Sequence, residues 1–173
     1  STPLYSSAAS DVYKRQDLRP SGDITTKNIK DKKVTAKIIA NQKCVVGGLK
    51  FASQAFKISD KKITFKAKTK DGRKINKGKV IAILKGKASG ILKSERVALN
   101  FLGLISGVAT TTNKFVNKVK GKSCKICCTR KTLPNLRLIQ KYGLKHMLLK
   151  KHLHAIGKKY THMIGQKYMR RLM

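Results

Sequence analysis

KITFKAKTKDGRKINKGKVIAILKGKASGIL, which spans residues 62–92, alternates apolar residues with lysine over most of its length. A period of two places the apolar side chains on one face of a strand and the lysines on the other. Asp71-Gly72 and Lys77-Gly78 interrupt the alternation, and glycine-containing pairs of this kind favour tight turns. The stretch therefore predicts antiparallel strands in a sheet that is buried on one face.

Three further elements are predicted on the N-terminal side of this stretch. VTAKIIA (34–40) and CVVGGL (44–49) are short apolar runs typical of strands. LKFASQAFKI (49–58) has the apolar spacing of a short amphipathic helix. Two strands and a helix are thus predicted before residues 62–92.

Helical signals dominate after residue 92. Ser94 is predicted as the N-cap of a long helix, ERVALNFLGLISGVATTTNKFVNKVK, whose apolar residues recur every three or four positions. CKICCT (124–129) predicts a short buried strand, and Pro134 is expected to begin another helix, NLRLIQKYGL. A strand–helix rhythm typical of α/β folds begins only here.

Charge is the most unusual feature of the composition. The chain has 41 Lys and Arg against 7 Asp and Glu, a net charge of +34, and every acidic residue lies within the first 95 positions. Such a surface attracts polyanions such as nucleic acid, anionic lipid or a phosphorylated substrate, although a lysine-rich genome produces the same excess. With 40% hydrophobic residues the chain can still bury a core.

Other classes of protein are excluded by simple counts. Since no run of about 20 apolar residues occurs, we expect no membrane partner. The 4 cysteines are unevenly placed and do not form the framework of a small secreted protein, so a reducing cytoplasm is the expected compartment.

Both ends of the chain differ from its middle. Residues 1–16 show neither helical nor strand periodicity, and SSAASDVYKRQ resembles translated adapter sequence, so we expect a foreign lead. All 4 histidines and all 4 methionines follow Leu144. We expect residues 145–173 to be an aberrant basic tail, from either a shifted reading frame or a splice.

Two familiar motifs fail on inspection. Gly121-Lys122-Ser123 ends like a P-loop, but Val116 occupies the position of the required first glycine. Cys124 and Cys127 are followed by histidines at a spacing longer than that of a zinc finger. No acidic residue is close to the histidines, so no catalytic residue and no metal ligand is predicted.

Thr129-Arg130-Lys131 is the most informative short motif. It places two cations at the C-terminal end of an apolar strand, just before a helix, where α/β folds bind their ligands. Arginine matches a carboxylate or phosphate with two hydrogen bonds, and lysine adds a compact charge. The motif predicts an anion-binding loop; a merely basic surface loop is the alternative.

Residues 17–144 as a whole resemble quinolinate phosphoribosyltransferase, the carboxylating nicotinate-nucleotide pyrophosphorylase family of NAD biosynthesis. The matching segments occur in the family's order and cover about three quarters of the chain. They are Asp17-Leu18, Ser21-Gly22-Asp23-Ile24-Thr25-Thr26, VTAKIIANQKCVVGGL, KGKVIAILKGKASGIL, SERVALNFLGLISGVAT (94–110) and KICCTRKTLPNLRLIQKYGL (125–144).

The resemblance implies a fold and a reaction. The fold is an α+β N-terminal sandwich domain over residues 17–112, followed by the truncated start of an α/β barrel over residues 113–144. In the reaction, quinolinate attacks the anomeric carbon of phosphoribosyl pyrophosphate with the help of Mg²⁺. Pyrophosphate and then CO₂ leave, giving nicotinate mononucleotide. The family also implies a homodimer or a higher homo-oligomer.

The resemblance assigns roles to four residues. Thr129, Arg130 and Lys131 match the family's substrate-binding segment, and Arg96 matches an arginine that reaches into the neighbouring subunit's barrel. After KYGL the family continues into Asn-His-Arg-Phe and Lys-Asp-Asn-His motifs, which are absent here, and into strands that supply carboxylates for Mg²⁺. We therefore expect this chain to be an inactive fragment.

Two alternatives remain open. A paralogue of the same fold that is associated with molybdenum uptake would share these segments. A basic nucleic-acid-binding protein is the other alternative, although aromatic residues make up only 6% of the chain and no recognisable RNA- or DNA-binding motif occurs. We expect no specific nucleic-acid partner.

Overall fold

A computed structural model describes residues 32–123, 126 and 131–145. Within them, two strands, a helix and three further strands are followed by one long and one short helix. The elements are β1 (Lys33–Ile39), β2 (Cys44–Val45), α1 (Leu49–Ser59), β3 (Thr64–Ala67), β4 (Lys74–Ile75), β5 (Val80–Lys87), α2 (Ala88–Lys118) and α3 (Arg137–Lys145).

The main sheet contains β1, β5 and β3 in that order, and both strand pairs are antiparallel. Leu84 of β5 is directly opposite Ala36 on one side and Phe65 on the other. This face is apolar and is covered by α1 and α2, whereas lysines occupy the opposite face. The period of two in residues 62–92 therefore predicted the buried face correctly.

A second, two-stranded sheet pairs β2 with β4. The other edge of β2 lies beside α2, and hydroxyl groups of α2 accept hydrogen bonds from the backbone there. The Val45 N–H donates to Thr110 Oγ1 at 2.9 Å, and the Gly47 N–H donates to Ser106 Oγ at 3.0 Å. These side-chain hydroxyls thus satisfy backbone N–H donors that would otherwise need a neighbouring strand.

The predicted turns are confirmed. Gly72 and Gly78 have φ angles of 87° and 83°, a left-handed conformation that glycine adopts without steric cost. The Gly78 N–H also donates to the Ala40 carbonyl at 2.8 Å. These turns connect β3 to β4 and β4 to β5.

Two predicted boundaries are wrong near the helices. The long helix begins at Ala88, immediately after β5, and Ser94 is therefore an interior residue rather than an N-cap. Its buried hydroxyl donates to the Gly90 carbonyl at 2.9 Å, one turn earlier. The strand predicted over 44–49 is also shorter, because Gly48 is left-handed and α1 begins at Leu49.

The C-terminal helix begins later than predicted. Residues 134–136 form a turn in which Asn135 has a φ angle of 58°, and α3 starts at Arg137. The strand predicted over 124–129 lies outside the described residues except for Ile126, which has no regular secondary structure. Residues 1–16 and 146–173 lie outside them as well.

Two further observations concern domains and membranes. The predicted domain boundary between residues 112 and 113 falls inside α2, so the two predicted domains share one continuous helix. In the part of the chain described here, no helix is both long and apolar enough to cross a membrane.

Candidate active site

Helix α3 is connected to the sheet domain through Asp71, in the turn between β3 and β4. The Tyr142 hydroxyl donates to Asp71 Oδ2 at 2.8 Å, while Asp71 Oδ1 accepts from the Leu49 N–H at 3.1 Å. The Tyr142 ring also packs edge-on against Phe51, with 5.1 Å between the ring centroids. One carboxylate thus joins the first turn of α1 to α3.

Burial, the hydrogen bond and the charge of Asp71 all stabilise the protonated form of Tyr142. Together they raise the pKa of this phenol above its usual value, with burial as the largest cause. The hydroxyl therefore remains a donor to Asp71 throughout the neutral range.

Helices α3 and α2 approach closely at a glycine. A Cβ atom added to Gly143 would lie 3.0 Å from the Ile105 carbonyl oxygen. Ile139, one turn earlier, is buried in the same core, at 6% exposure. Close packing therefore fixes the backbone of α3 against α2, in addition to the contacts of Tyr142 with Asp71 and Phe51.

The segment that leads into α3 is fixed in turn by the helix. The Leu133 N–H donates to Gln140 Oε1 at 3.1 Å, and the Gln140 N–H donates to the Leu136 carbonyl at 2.9 Å. Lys131 is exposed just before this segment, whereas Thr129 and Arg130 lie outside the described residues. The predicted anion-binding motif thus precedes, in sequence, a loop that is hydrogen-bonded to α3 at Leu133, and α3 is bonded to the sheet domain through Tyr142.

Arg96 is on the exposed side of α2. It lies between Leu92 and Leu99, which are one turn away on either side and are 39% and 41% exposed. Arg96 and Ile105 are nine positions apart, so about 14 Å of helix lies between Arg96 and the point where α3 packs. An exposed arginine flanked by exposed apolar residues is compatible with the predicted intersubunit role, since arginine is enriched at protein interfaces.

An apolar groove that the sequence analysis missed runs along this part of α2. Its volume is about 430 Å³, and it lies between β1 and the first three turns of α2. Its lining includes Val34, Ile38, Leu92, Glu95 and Leu99. Leu99 could have indicated this groove from the sequence. It is a large apolar residue that falls outside the stripe of buried residues formed by Val97, Ala98 and Phe101.

The described residues do not fit a protein-held metal. Among them, no three His, Cys, Asp or Glu side chains come together. Asp60 Oδ1 accepts from the Lys62 N–H, and Asp71 is engaged by Leu49 and Tyr142. Cys44 is a half-buried free thiol whose pKa is raised by burial, so it is not activated as a metal ligand or nucleophile.

Two family models match consecutive parts of the chain. The quinolinate phosphoribosyl transferase N-terminal domain matches residues 23–106, and the C-terminal domain of the same family matches residues 108–157. The second match begins inside α2 and continues past Leu144.

Curated relatives agree. A probable nicotinate-nucleotide pyrophosphorylase (carboxylating) of Bacillus subtilis is 36% identical over 126 residues, which cover 72% of this chain and 44% of the relative. One of the same name from Methanocaldococcus jannaschii is 42% identical over 127 residues, 71% of this chain and 44% of that protein.

A solved structure agrees as well. The nicotinate-nucleotide pyrophosphorylase from Francisella tularensis superposes with a TM-score of 0.78 at 33% identity, covering 82% of this chain and 51% of that one. The predicted fold class, an N-terminal α/β sandwich followed by the start of a barrel, is confirmed. The chain spans about half the length of the relatives that it matches. By its two domain matches and its relatives, the chain belongs to the quinolinate phosphoribosyltransferase family.

Proposed function

We propose that this chain is the N-terminal half of an enzyme that converts quinolinate and phosphoribosyl pyrophosphate to nicotinate mononucleotide, CO₂ and pyrophosphate. The similarity to relatives named nicotinate-nucleotide pyrophosphorylase (carboxylating) is the observation that carries this proposal. The same names favour this function over that of a molybdenum-associated paralogue. The chain alone, at about half of the relatives' length, is expected to be inactive.

The charge of the predicted substrate segment suits these substrates. Quinolinate carries two carboxylates and phosphoribosyl pyrophosphate carries a diphosphate, so the site must supply concentrated positive charge. Arg130 offers a planar pair of donors for one carboxylate, Lys131 adds a point charge, and Thr129 adds a hydroxyl donor. The contacts of Leu133 with Gln140 and of Tyr142 with Asp71 fix the following segment, and this restricts where Lys131 can lie.

We also propose that Arg96 lies in the active site of a partner subunit within a cytoplasmic homodimer or higher homo-oligomer. Its exposure, and its position between the exposed Leu92 and Leu99, suit a side chain that contacts a second protomer. In this arrangement Arg96 would bind a substrate carboxylate or phosphate that the partner's own residues leave uncompensated.

We propose that Mg²⁺ is bound only together with phosphoribosyl pyrophosphate. When bound, it would neutralise charge on the departing pyrophosphate. Because the described residues contain no cluster of carboxylates, we propose that the substrate phosphates provide its ligands on this side of the site.

A chimera provides the test. Residues 17–144 would replace the matching segment of the Bacillus subtilis relative, and formation of nicotinate mononucleotide from quinolinate would be measured. We expect activity, and we expect Arg130→Ala and Arg96→Ala to lower kcat/KM by about 100-fold or more, as the loss of a paired contact to a charged substrate does. Lys114→Ala, a change at an exposed lysine of α2, is the matched control. A folded chimera without activity, or one indifferent to both arginines, would refute the proposal.

A further inference from the structure

The outer face of the main sheet is a dense cationic surface. The strand register brings eight residues of β1, β5 and β3 together on the side opposite to the core, and we call this group the lysine face. Its members are Lys33, Thr35, Lys37, Thr64, Lys66, Ile83, Lys85 and Lys87. Seven of them are exposed and Ile83 is half-buried.

The rows of the lysine face follow directly from the pairing. Lys33 is opposite Lys87, Lys85 lies between Thr35 and Thr64, and Ile83 lies between Lys37 and Lys66; these are three rows across the sheet. With residues on one face about 7 Å apart along a strand and strands about 4.8 Å apart, five cations occupy roughly 14 by 10 Å. None of the acidic residues within the described ranges is on these strands.

This concentration has an electrostatic cost that a bound anion would remove. Like charges on neighbouring positions of one face of a sheet repel each other and destabilise the pairing. The backbone positions of neighbouring lysines on this face are about 5 to 10 Å apart. This is comparable to the Debye length of about 8 Å at physiological ionic strength, so salt screens the repulsion between them only partly. A row of anions of matching spacing would be attracted to the face as a whole.

The side chains favour phosphate over other anions. Lysines and threonine hydroxyls are common contacts to nucleic-acid phosphates. The face has no arginine for reading base edges and no aromatic residue for stacking on single-stranded bases. It also lacks the exposed apolar residues with which a peripheral helix enters a lipid surface. About eight phosphate charges of a duplex fit along 14 Å of its axis.

We propose that the lysine face binds the phosphate backbone of a nucleic-acid duplex without sequence preference. This interaction is separate from the enzymatic function, because the face belongs to β1, β3 and β5 and contains none of the four predicted substrate-binding residues. Since a chain of net charge +34 is attracted to any polyanion, the position of the contact is the quantity that must be measured.

Two variants of equal charge separate the lysine face from the general charge. In the first, the five lysines of the face become glutamine: K33Q, K37Q, K66Q, K85Q and K87Q. In the control, five exposed lysines on other elements do so: K50Q, K57Q, K70Q, K77Q and K114Q. The affinity of each for a mixed-sequence DNA duplex of about 20 base pairs would be measured between about 0.05 and 0.2 M NaCl.

We expect the lysine-face variant to bind at least tenfold more weakly than the control. Its plot of log affinity against log salt should be shallower by about 4, since each phosphate contact contributes about 0.9 to the slope. Acylation of lysines in the unaltered protein provides a second measurement that needs no folded variant. The duplex should protect Lys37, Lys66 and Lys85 more than Lys50 and Lys57.

Three results would overturn the proposal. Equal losses of affinity in the two variants would show that only net charge matters. Protection confined to lysines outside the face would place the contact elsewhere. Tighter binding to phosphatidylserine vesicles or to polyglutamate than to the duplex, dependent on the same five lysines, would assign the face to a lipid surface or an acidic protein.

Discussion

The Tyr142 hydroxyl and Asp71 Oδ2 are 2.8 Å apart although 71 positions separate the residues in the chain. The bond connects the helix that follows the predicted substrate-binding segment to a turn of the sheet domain. Since Asp71 also accepts from the Leu49 N–H, the loss of Tyr142 or of Asp71 affects different sets of contacts.

Replacing the hydroxyl alone should weaken the connection without disturbing α1. We expect Tyr142→Phe to lower the free energy of unfolding by about 1 to 2 kcal/mol, because the acceptor is a carboxylate and the phenol is partly buried. Urea unfolding followed by circular dichroism would measure this change.

A double-mutant cycle with Asp71→Asn tests whether the effect comes from this pair. Direct coupling predicts that the double variant is less destabilised than the sum of the single variants, by about 1 kcal/mol. Strict additivity would show that the two residues act independently.

The raised pKa of Tyr142 makes the same contact dependent on pH. A phenol whose pKa is higher in the folded state stabilises the fold fully below its unfolded pKa of about 10, and this contribution is lost as the pH rises through the higher folded value. Lysine deprotonation affects the unaltered protein and Tyr142→Phe alike, so the difference between their unfolding free energies isolates Tyr142. We expect that difference to be constant from pH 7 to about 9 and to shrink above about 10. A difference that grows with alkaline pH would contradict the assigned direction.

Local sequence patterns predicted most of the strands and turns of the sheet. They could not predict contacts between residues that are distant in the sequence. The alternation of residues 62–92 and the glycines at 72 and 78 determine strands and turns through nearest neighbours. The start of α2 was missed because the short run ASGIL fits either period. The contact of Tyr142 with Asp71 depends on how α3 packs, which no local pattern specifies. Arg96 was singled out through a family resemblance, and the structure adds that it is exposed between two exposed leucines.

Thr112 offers a way to stabilise the chain. Its side chain is fully buried, and its hydroxyl finds no hydrogen-bond partner in the described structure. Because an unpaired buried hydroxyl costs free energy, we expect Thr112→Val to raise the free energy of unfolding by about 1 kcal/mol.

Thr110 supplies the matched control for this change, two residues earlier on the same helix. Its hydroxyl accepts from the Val45 N–H at 2.9 Å, so Thr110→Val leaves a backbone donor unpaired and should lower stability by about 1 kcal/mol. Chemical denaturation of both variants would measure the two effects, and equal signs would refute the assignment of partners.

Gly143 tests whether close packing of α3 on α2 matters to the fold. A methyl group at this position would meet the Ile105 carbonyl oxygen at 3.0 Å, and a helix backbone cannot move aside easily. Alanine is favoured over glycine in a helix by about 1 kcal/mol, but the steric conflict should outweigh this gain. We expect Gly143→Ala to lower the free energy of unfolding by about 1 to 2 kcal/mol.

Gly103 is the control for the helix preference itself, because it is an exposed position of α2 with no atom within 4 Å of an added Cβ. Gly103→Ala should therefore raise the free energy of unfolding by about 0.5 to 1 kcal/mol. Thermal and urea unfolding of the two variants would compare the same chemical change with and without a neighbouring backbone. If Gly143→Ala stabilised the chain as much as Gly103→Ala, α3 would not be packed against Ile105, and the segment that contains Lys131 would not be fixed to the sheet domain through this helix.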